Sequence, residues 1–176
     1  MIALAIQLLL IINHGWQNSD FIGLYIIYMT LDEIIATWSQ DSKIDPKNLD
    51  TTAIKSALLH SKYLELYSIA KLQLKKHDWN MAILKKDKWM YYNGKLTKEE
   101  MDKFGWPYDP FNGLVKPLKS DMDMFYQTDP DISKLKMQMD YQTTLVEALK
   151  EIMDTIKWRH STIKTILDAQ KFMAGC

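Results

Sequence analysis

The sequence predicts an all-α protein in which long helices pack as a bundle or coiled-coil-like protomer. Three observations carry this. Only six glycines and five prolines occur in 176 residues, and they cluster, leaving long uninterrupted segments. The stretch from about Thr51 to Tyr92 contains neither residue. The last forty-odd residues carry an apolar stripe with three-four spacing, which is the period of a helix packed along its length.

The first 28 residues stand apart. "MIALAIQLLLII" and "FIGLYIIYM" are apolar, no Lys or Arg precedes Lys43, neither the positive n-region nor the small-residue cleavage site of a secretory signal is clear, and the apolar run breaks after twelve residues where a spanning helix wants about 20. Residues 1–28 are expected to be a hydrophobic N-terminal extension outside the functional domain; the alternative is a non-catalytic helical scaffold that uses them as a membrane tether. At Thr30 and Glu33 the Thr-x-x-Glu capping box starts a helix over roughly Leu31–Gln40, with Ile34, Ile35 and Trp38 on one face. "DSKIDPKNLD" then forms a linker or turn around Pro46.

The second helix is expected from about Thr51 to Tyr92, with Asp50 as its cap. Ile54, Ala57, Leu58, Leu64, Tyr67, Leu72 and Leu74 recur at near-helical spacing along it. At 1.5 Å per residue such a rod is roughly 60 Å long, so it must lie against other long helices, in this chain or another. Asn93-Gly94 stops it, the glycine supplying a left-handed conformation. Thr97-Lys98-Glu99-Glu100 is a second capping box and opens a short helix to about Phe104. "GWPYDPFNGLVKP", with three prolines and two glycines, is a loop. Asp129-Pro130 opens the last helix, Asp as cap and Pro in the first turn where its missing N–H costs nothing. That helix runs to about Met173 and ends at Gly175. Its stripe comprises Ile132, Leu135, Met139, Gln142, Leu145, Leu149, Ile152, Ile156, Ile163 and Ile166, with Gln142 and Arg159 or His160 as polar breaks. Two rods with little else to cover them favour self-assembly, and Leu149, Ile152, Ile156, Ile163 and Ile166 are the expected oligomerisation residues.

Charge balances at 22 basic and 22 acidic residues, which leaves room for a local patch that binds nucleic acid. The single cysteine, Cys176, forms no internal disulfide, and His14, His60, His77 and His160 make no metal-ligand spacing, so no metal site is expected. Asp121, Asp123, Asp129 and Asp131 match no calcium loop and read as loop solvation and helix capping. No Gly-rich phosphate loop, G-x-S-x-G or paired histidine argues for catalysis, and neither an enzymatic activity nor a cofactor is expected.

One segment departs from neutrality. Lys71, Lys75, Lys76, Lys85, Lys86, Lys88, Lys95 and Lys98 are accompanied by only Asp78 and Asp87 up to residue 98, and Trp79, Trp89, Tyr91 and Tyr92 lie among them. Cations that follow phosphates and rings that stack on bases are what single strands bind. A lysine-rich helix end is also a common solvated surface that complements the helix dipole. Trp89 and Tyr92 share a face suited to burial, which leaves Tyr91 as the stacking ring. Lys85, Lys86, Lys88, Tyr91 and Lys95 are the candidate binding residues.

Three stretches together resemble the UvsY family, the recombination mediators of tailed phages. They are "DPKNLDTTAIKSALLHSKYLELYSIAK", "KKDKWMYYNG" and "TIKWRHSTIKTILDAQKFMAGC", in that order and at that spacing. In the last, Ile156, Lys157, Arg159, Ile163, Lys164, Ile166, Asp168, Phe172, Ala174 and Gly175 fit the family's ending. The resemblance covers about Asp41 to Gly175. It implies a non-enzymatic protein that binds single-stranded DNA and assembles as a ring-shaped homo-oligomer, a hexamer or heptamer. It implies work beside a RecA-like recombinase and a single-strand-binding protein, in the cytoplasm of an infected bacterium, without a membrane. The family's basic pair falls on Lys86 and Lys88. Residues 29–128 would then form the DNA-binding region and 129–176 the oligomerisation helix. Lys88 stands where the family also uses Arg, and lysine lacks the planar fork. The Trp-Pro loop has no clear counterpart.

Overall fold

A computed structural model describes residues 29–111, 113 and 119–175; the expected extension 1–28 and Cys176 lie outside them. Among the described residues there are five α-helices, one 3₁₀ turn and no strand. They are α1 (Leu31–Asp41), α2 (Leu49–Tyr92), α3 (Lys98–Phe104), a 3₁₀ turn (Lys119–Asp121), α4 (Met122–Thr128) and α5 (Pro130–Met173).

The helix ends follow from local chemistry. Both capping boxes form: the Glu33 and Thr30 groups bond reciprocally at 2.8 and 3.3 Å, and Glu100 and Thr97 at 2.8 and 3.2 Å. Asp129 Oδ1 accepts the N–H groups of Asp131 and Ile132 at 2.9 and 3.0 Å, with Pro130 in the first turn of α5. After α2, Gly94 adopts φ 64° and the Lys95 N–H returns to the Met90 carbonyl at 2.9 Å. Two expectations are corrected. Asp50 does not cap α2 but sits in its first turn, and the Asp45 carboxylate organises the entry by accepting the Lys47 N–H and the Asn48 amide. The short α4 has no side-chain cap, so no sequence signal announced it.

The chain divides into two compact units, described separately below. One holds the described residues up to Ala70 and from Leu145 onward; the other is Lys71–Thr144. The long helices therefore each contribute to both units.

In the first unit α1, the first half of α2 and the second half of α5 share one core. Ile34, Tyr63, Leu66, Ala70, Leu145, Leu149, Ile152 and Ile156 form it, with Trp38 and Leu59 at its edge. Each fully buried large side chain contributes on the order of 1.5–3 kcal/mol. Tyr63 packs edge-on against Trp38 at 5.3 Å and donates its hydroxyl to Asp41 at 3.1 Å. Burial, with Asp41 close by, pushes the Tyr63 hydroxyl well above its ordinary range. The inward face of α2 is thus only in part the one expected, with Tyr67 packed against the core. Ile54, Leu58 and Leu64 are exposed, as is Leu72 further along the helix. Apolar residues lie on both faces of α2; Tyr63 and small Ala70 suit the face against α1 and α5, because the tyrosine is buried with its polar end satisfied and alanine permits close approach.

The α5 stripe is internal. Leu149, Ile152 and Ile156 lie in the chain's own core, Ile163 is buried and Ile166 half-buried. Within the chain, Leu149, Ile152 and Ile156 share their core with α1 and α2. Of the two candidates for the second polar break, Arg159 is buried and His160 exposed. The guanidinium donates to the Ser42 and Lys43 carbonyls at 2.7 and 2.8 Å and to Ser56 Oγ at 3.1 Å. It thereby satisfies carbonyls just past the end of α1, where no helical N–H can reach.

Candidate nucleic-acid interface

The second unit carries the basic-aromatic segment. Along α2 the inward positions Gln73, His77, Met81, Leu84, Lys88 and Tyr91 continue at three-four spacing. Gln73 accepts the amide of Gln142 on α5 at 3.0 Å.

Lys88 occupies one of these inward positions and is only 3% exposed. Its ammonium lies 2.9 Å from Asp129 Oδ2 and 2.7 Å from Asp131 Oδ2, and 4.0 Å from the centre of the Trp106 ring. An ammonium removed from water needs such compensation, and the carboxylates are themselves favoured at the start of α5 by the helix dipole. Tyr92 donates to Asp129 at 2.7 Å and the Trp106 indole N–H to Asp131 at 2.8 Å. Burial pushes the Asp129 carboxyl up, but the hydrogen bonds from Tyr92, Lys88 and the Ile132 N–H outweigh it and hold it below the usual range. Burial and the Asp129 hydrogen bond push the Tyr92 hydroxyl well up.

Tyr91 is 5% exposed and donates to the Pro107 carbonyl at 2.8 Å. Its ring lies 5.0 Å from Trp106. The expectations of a free Lys88 cation and an outward Tyr91 ring are therefore corrected. Lys88 is neutralised by carboxylates far along the chain, and Tyr91 is held by a loop. That Trp-Pro loop has a structural part: Trp106 covers the Lys88 ammonium, and Phe111 joins Tyr92 and Phe125 in a cluster with ring centres 5.6–5.9 Å apart. Asp129 and Asp131, read as capping and solvated groups, are ion-pair partners as well.

The remaining lysines face water. Lys86 is 71% exposed and Asp87 approaches it only to 3.7 Å. Lys85 is exposed and turns the other way, lining an open groove of about 650 Å³ with Tyr126, Lys136, Asp123 and Asp140. Lys95 lies over the Trp89 ring at 4.0 Å and stays exposed. Lys75 and Lys76 are exposed too. Trp79 is the most exposed aromatic ring of the segment, at 77%. The sequence showed a signal for this arrangement: Lys88 continues the Gln73–His77–Met81–Leu84 spacing, whereas Trp79 does not.

No group of His, Cys, Asp or Glu among the described residues could hold a metal ion. No described helix is long and apolar enough to cross a membrane.

A family model described as "Recombination, repair and ssDNA binding protein UvsY" matches residues 37–176. The chain belongs to the UvsY family. A UvsY relative, the "Recombination protein uvsY" of Enterobacteria phage T4, is 26% identical over 149 residues, spanning 84% of this chain and 99% of the relative. Among solved UvsY structures, the bacteriophage T4 recombination mediator protein in lattice type II aligns with a TM-score of 0.70 at 24% identity, over 84% of this chain and 99% of that one. Lattice type IV gives 0.66 at 22% identity, over 82% and 99%. These likenesses show a shared all-helical fold.

Proposed function

We propose that this chain is a recombination mediator. It binds single-stranded DNA and promotes loading of a RecA-like recombinase onto DNA covered by a single-strand-binding protein, acting without catalysis in the cytoplasm of the infected host. UvsY membership over residues 37–176 carries this reading. The exposed lysines Lys85, Lys86 and Lys95 support it as phosphate contacts. Lys88 and Tyr91 serve them indirectly, by fixing the end of α2 against α5 and the Trp-Pro loop.

The working form is a ring-shaped homo-oligomer, a hexamer or heptamer, in which many weak lysine contacts combine through effective concentration. Besides the α5 stripe, contacts between copies draw on other apolar residues. In the first unit Ile54, Leu58, Trp158 and Phe172 are large and exposed, and such groups favour association.

The deciding experiment is salt-titrated binding of a labelled oligonucleotide, with particle mass measured by light scattering in the same sample. Binding with little sequence preference, steep salt dependence and a mass of several chains is expected. A chain that leaves the oligonucleotide free at low salt sinks the reading.

A further inference from the structure

Resting on the single-strand-binding reading above, we propose that the outer face of α2 around Trp79 is a base-stacking platform for single-stranded nucleic acid. Leu72, Lys76, Trp79, Ile83 and Lys86 follow one another at four, three, four and three residues, so they share one stripe of the helix. All five are exposed, on the side opposite the inward positions Gln73, His77, Met81, Leu84 and Lys88. Lys75 flanks the stripe one turn before Trp79.

The chemistry of this face is mixed in the way a single strand requires. Trp79 presents an indole ring open to solvent, and Leu72 and Ile83 extend the apolar surface on either side of it. Neither Lys75 nor Lys76 has a carboxylate within 4.0 Å among the described residues, and Lys86 has only the long contact to Asp87. Both acids of the stretch lie off the stripe: Asp78 and Asp87 each sit roughly 100° around the helix from the neighbouring stripe residue. From Lys76 to Lys86 the rise is roughly 15 Å, so cations stand before and after the ring along a path a strand can follow. A base stacked on Trp79 would have its flanking phosphates near Lys75 or Lys76 and toward Lys86.

A second copy of this chain is the other occupant such a face could take. The charge argues against it. Lysines interrupt the stripe at positions 76 and 86, and two like faces brought together would oppose ammonium to ammonium in a closing seam, whereas a polyanion is attracted by the same groups.

The test uses the full chain and a labelled oligothymidine. Trp79→Ala is expected to raise Kd roughly tenfold, and Trp79→Phe, which keeps a stacking ring, to stay within about threefold of the parent. Adding the oligonucleotide should quench the parent's tryptophan emission, and the quenching should shrink in Trp79→Phe. Equal affinity of Trp79→Ala and a parent that binds overturns the platform and leaves the function standing. A parent that does not bind overturns the function itself. A fall in particle mass on Trp79→Ala, with affinity restored at higher protein concentration, overturns the platform in favour of a contact between copies.

Discussion

Lys88 and Asp129 meet at 2.9 Å with their side chains 4% and 1% exposed, so a residue that the sequence offers as a DNA contact is a strut between α2 and α5. Its carboxylate partner also receives the Tyr92 hydroxyl and caps α5. The end of the lysine segment is thus tied to the start of the last helix.

Replacing Lys88 tests that strut. Lys88→Ala leaves Asp129 buried without its cation and should lower stability by about 3 kcal/mol. Urea unfolding reads this directly. Lys88→Ala with Asp129→Asn should recover a good part of the loss, because the stranded charge is gone. A Lys88→Ala chain as stable as the parent would remove the structural role.

The exposed lysines should behave differently. Lys85→Ala with Lys86→Ala should leave unfolding unchanged, weaken single-strand binding and reduce the slope of log K against log salt by about 1.4. A pairing of Lys86→Ala with Lys88→Ala would mix a binding effect with a folding one, so single variants are the informative comparison.

The acid and alkaline limbs of stability have separate owners in the second unit. Asp129 is depressed in the folded state, so its contribution is present above the ordinary carboxylate value of 3.8 and is lost as pH falls below it toward the folded value. Tyr92 is raised, so its contribution is present below 10.0 and is lost as pH climbs beyond that. Asp129→Asn should flatten the acid limb of a pH series of urea midpoints, and Tyr92→Phe the alkaline limb. Unaltered limbs in these variants would refute the assignment.

The α5 stripe should report on folding rather than on assembly. Leu149→Ala is expected to cost about 2–5 kcal/mol by opening a cavity. Ile156→Glu should lose helical circular dichroism, since it places a charge in the core of the first unit. A helical Ile156→Glu chain that merely drops to monomer mass would mark the stripe as a seam between copies.

How much of this was legible depends on how local each cause is. Both capping boxes, the Asp129-Pro130 start and the Gly94 and Gly175 stops sit within a few residues of what they control, and the structure has helices beginning or ending there. The face of α2 was harder, because apolar residues surround that helix and only the partner decides between Ile54 and Tyr63. Lys88 illustrates the limit. Its position continues the inward spacing, but a lysine in such a place makes sense only once Asp129, Asp131 and Trp106 are brought to it by the fold. Tyr91 meets the same limit, since its partner is the Pro107 carbonyl in a loop without periodicity.

The grip of Arg159 on Ser42 and Lys43 has a consequence for which substitutions this joint can absorb. It holds those two residues by carbonyl oxygens, which every amino acid carries. The turn after α1 can therefore exchange its side chains at these two positions while the Arg159 contacts persist. The guanidinium itself has no such freedom, because lysine cannot span three acceptors with a planar fork.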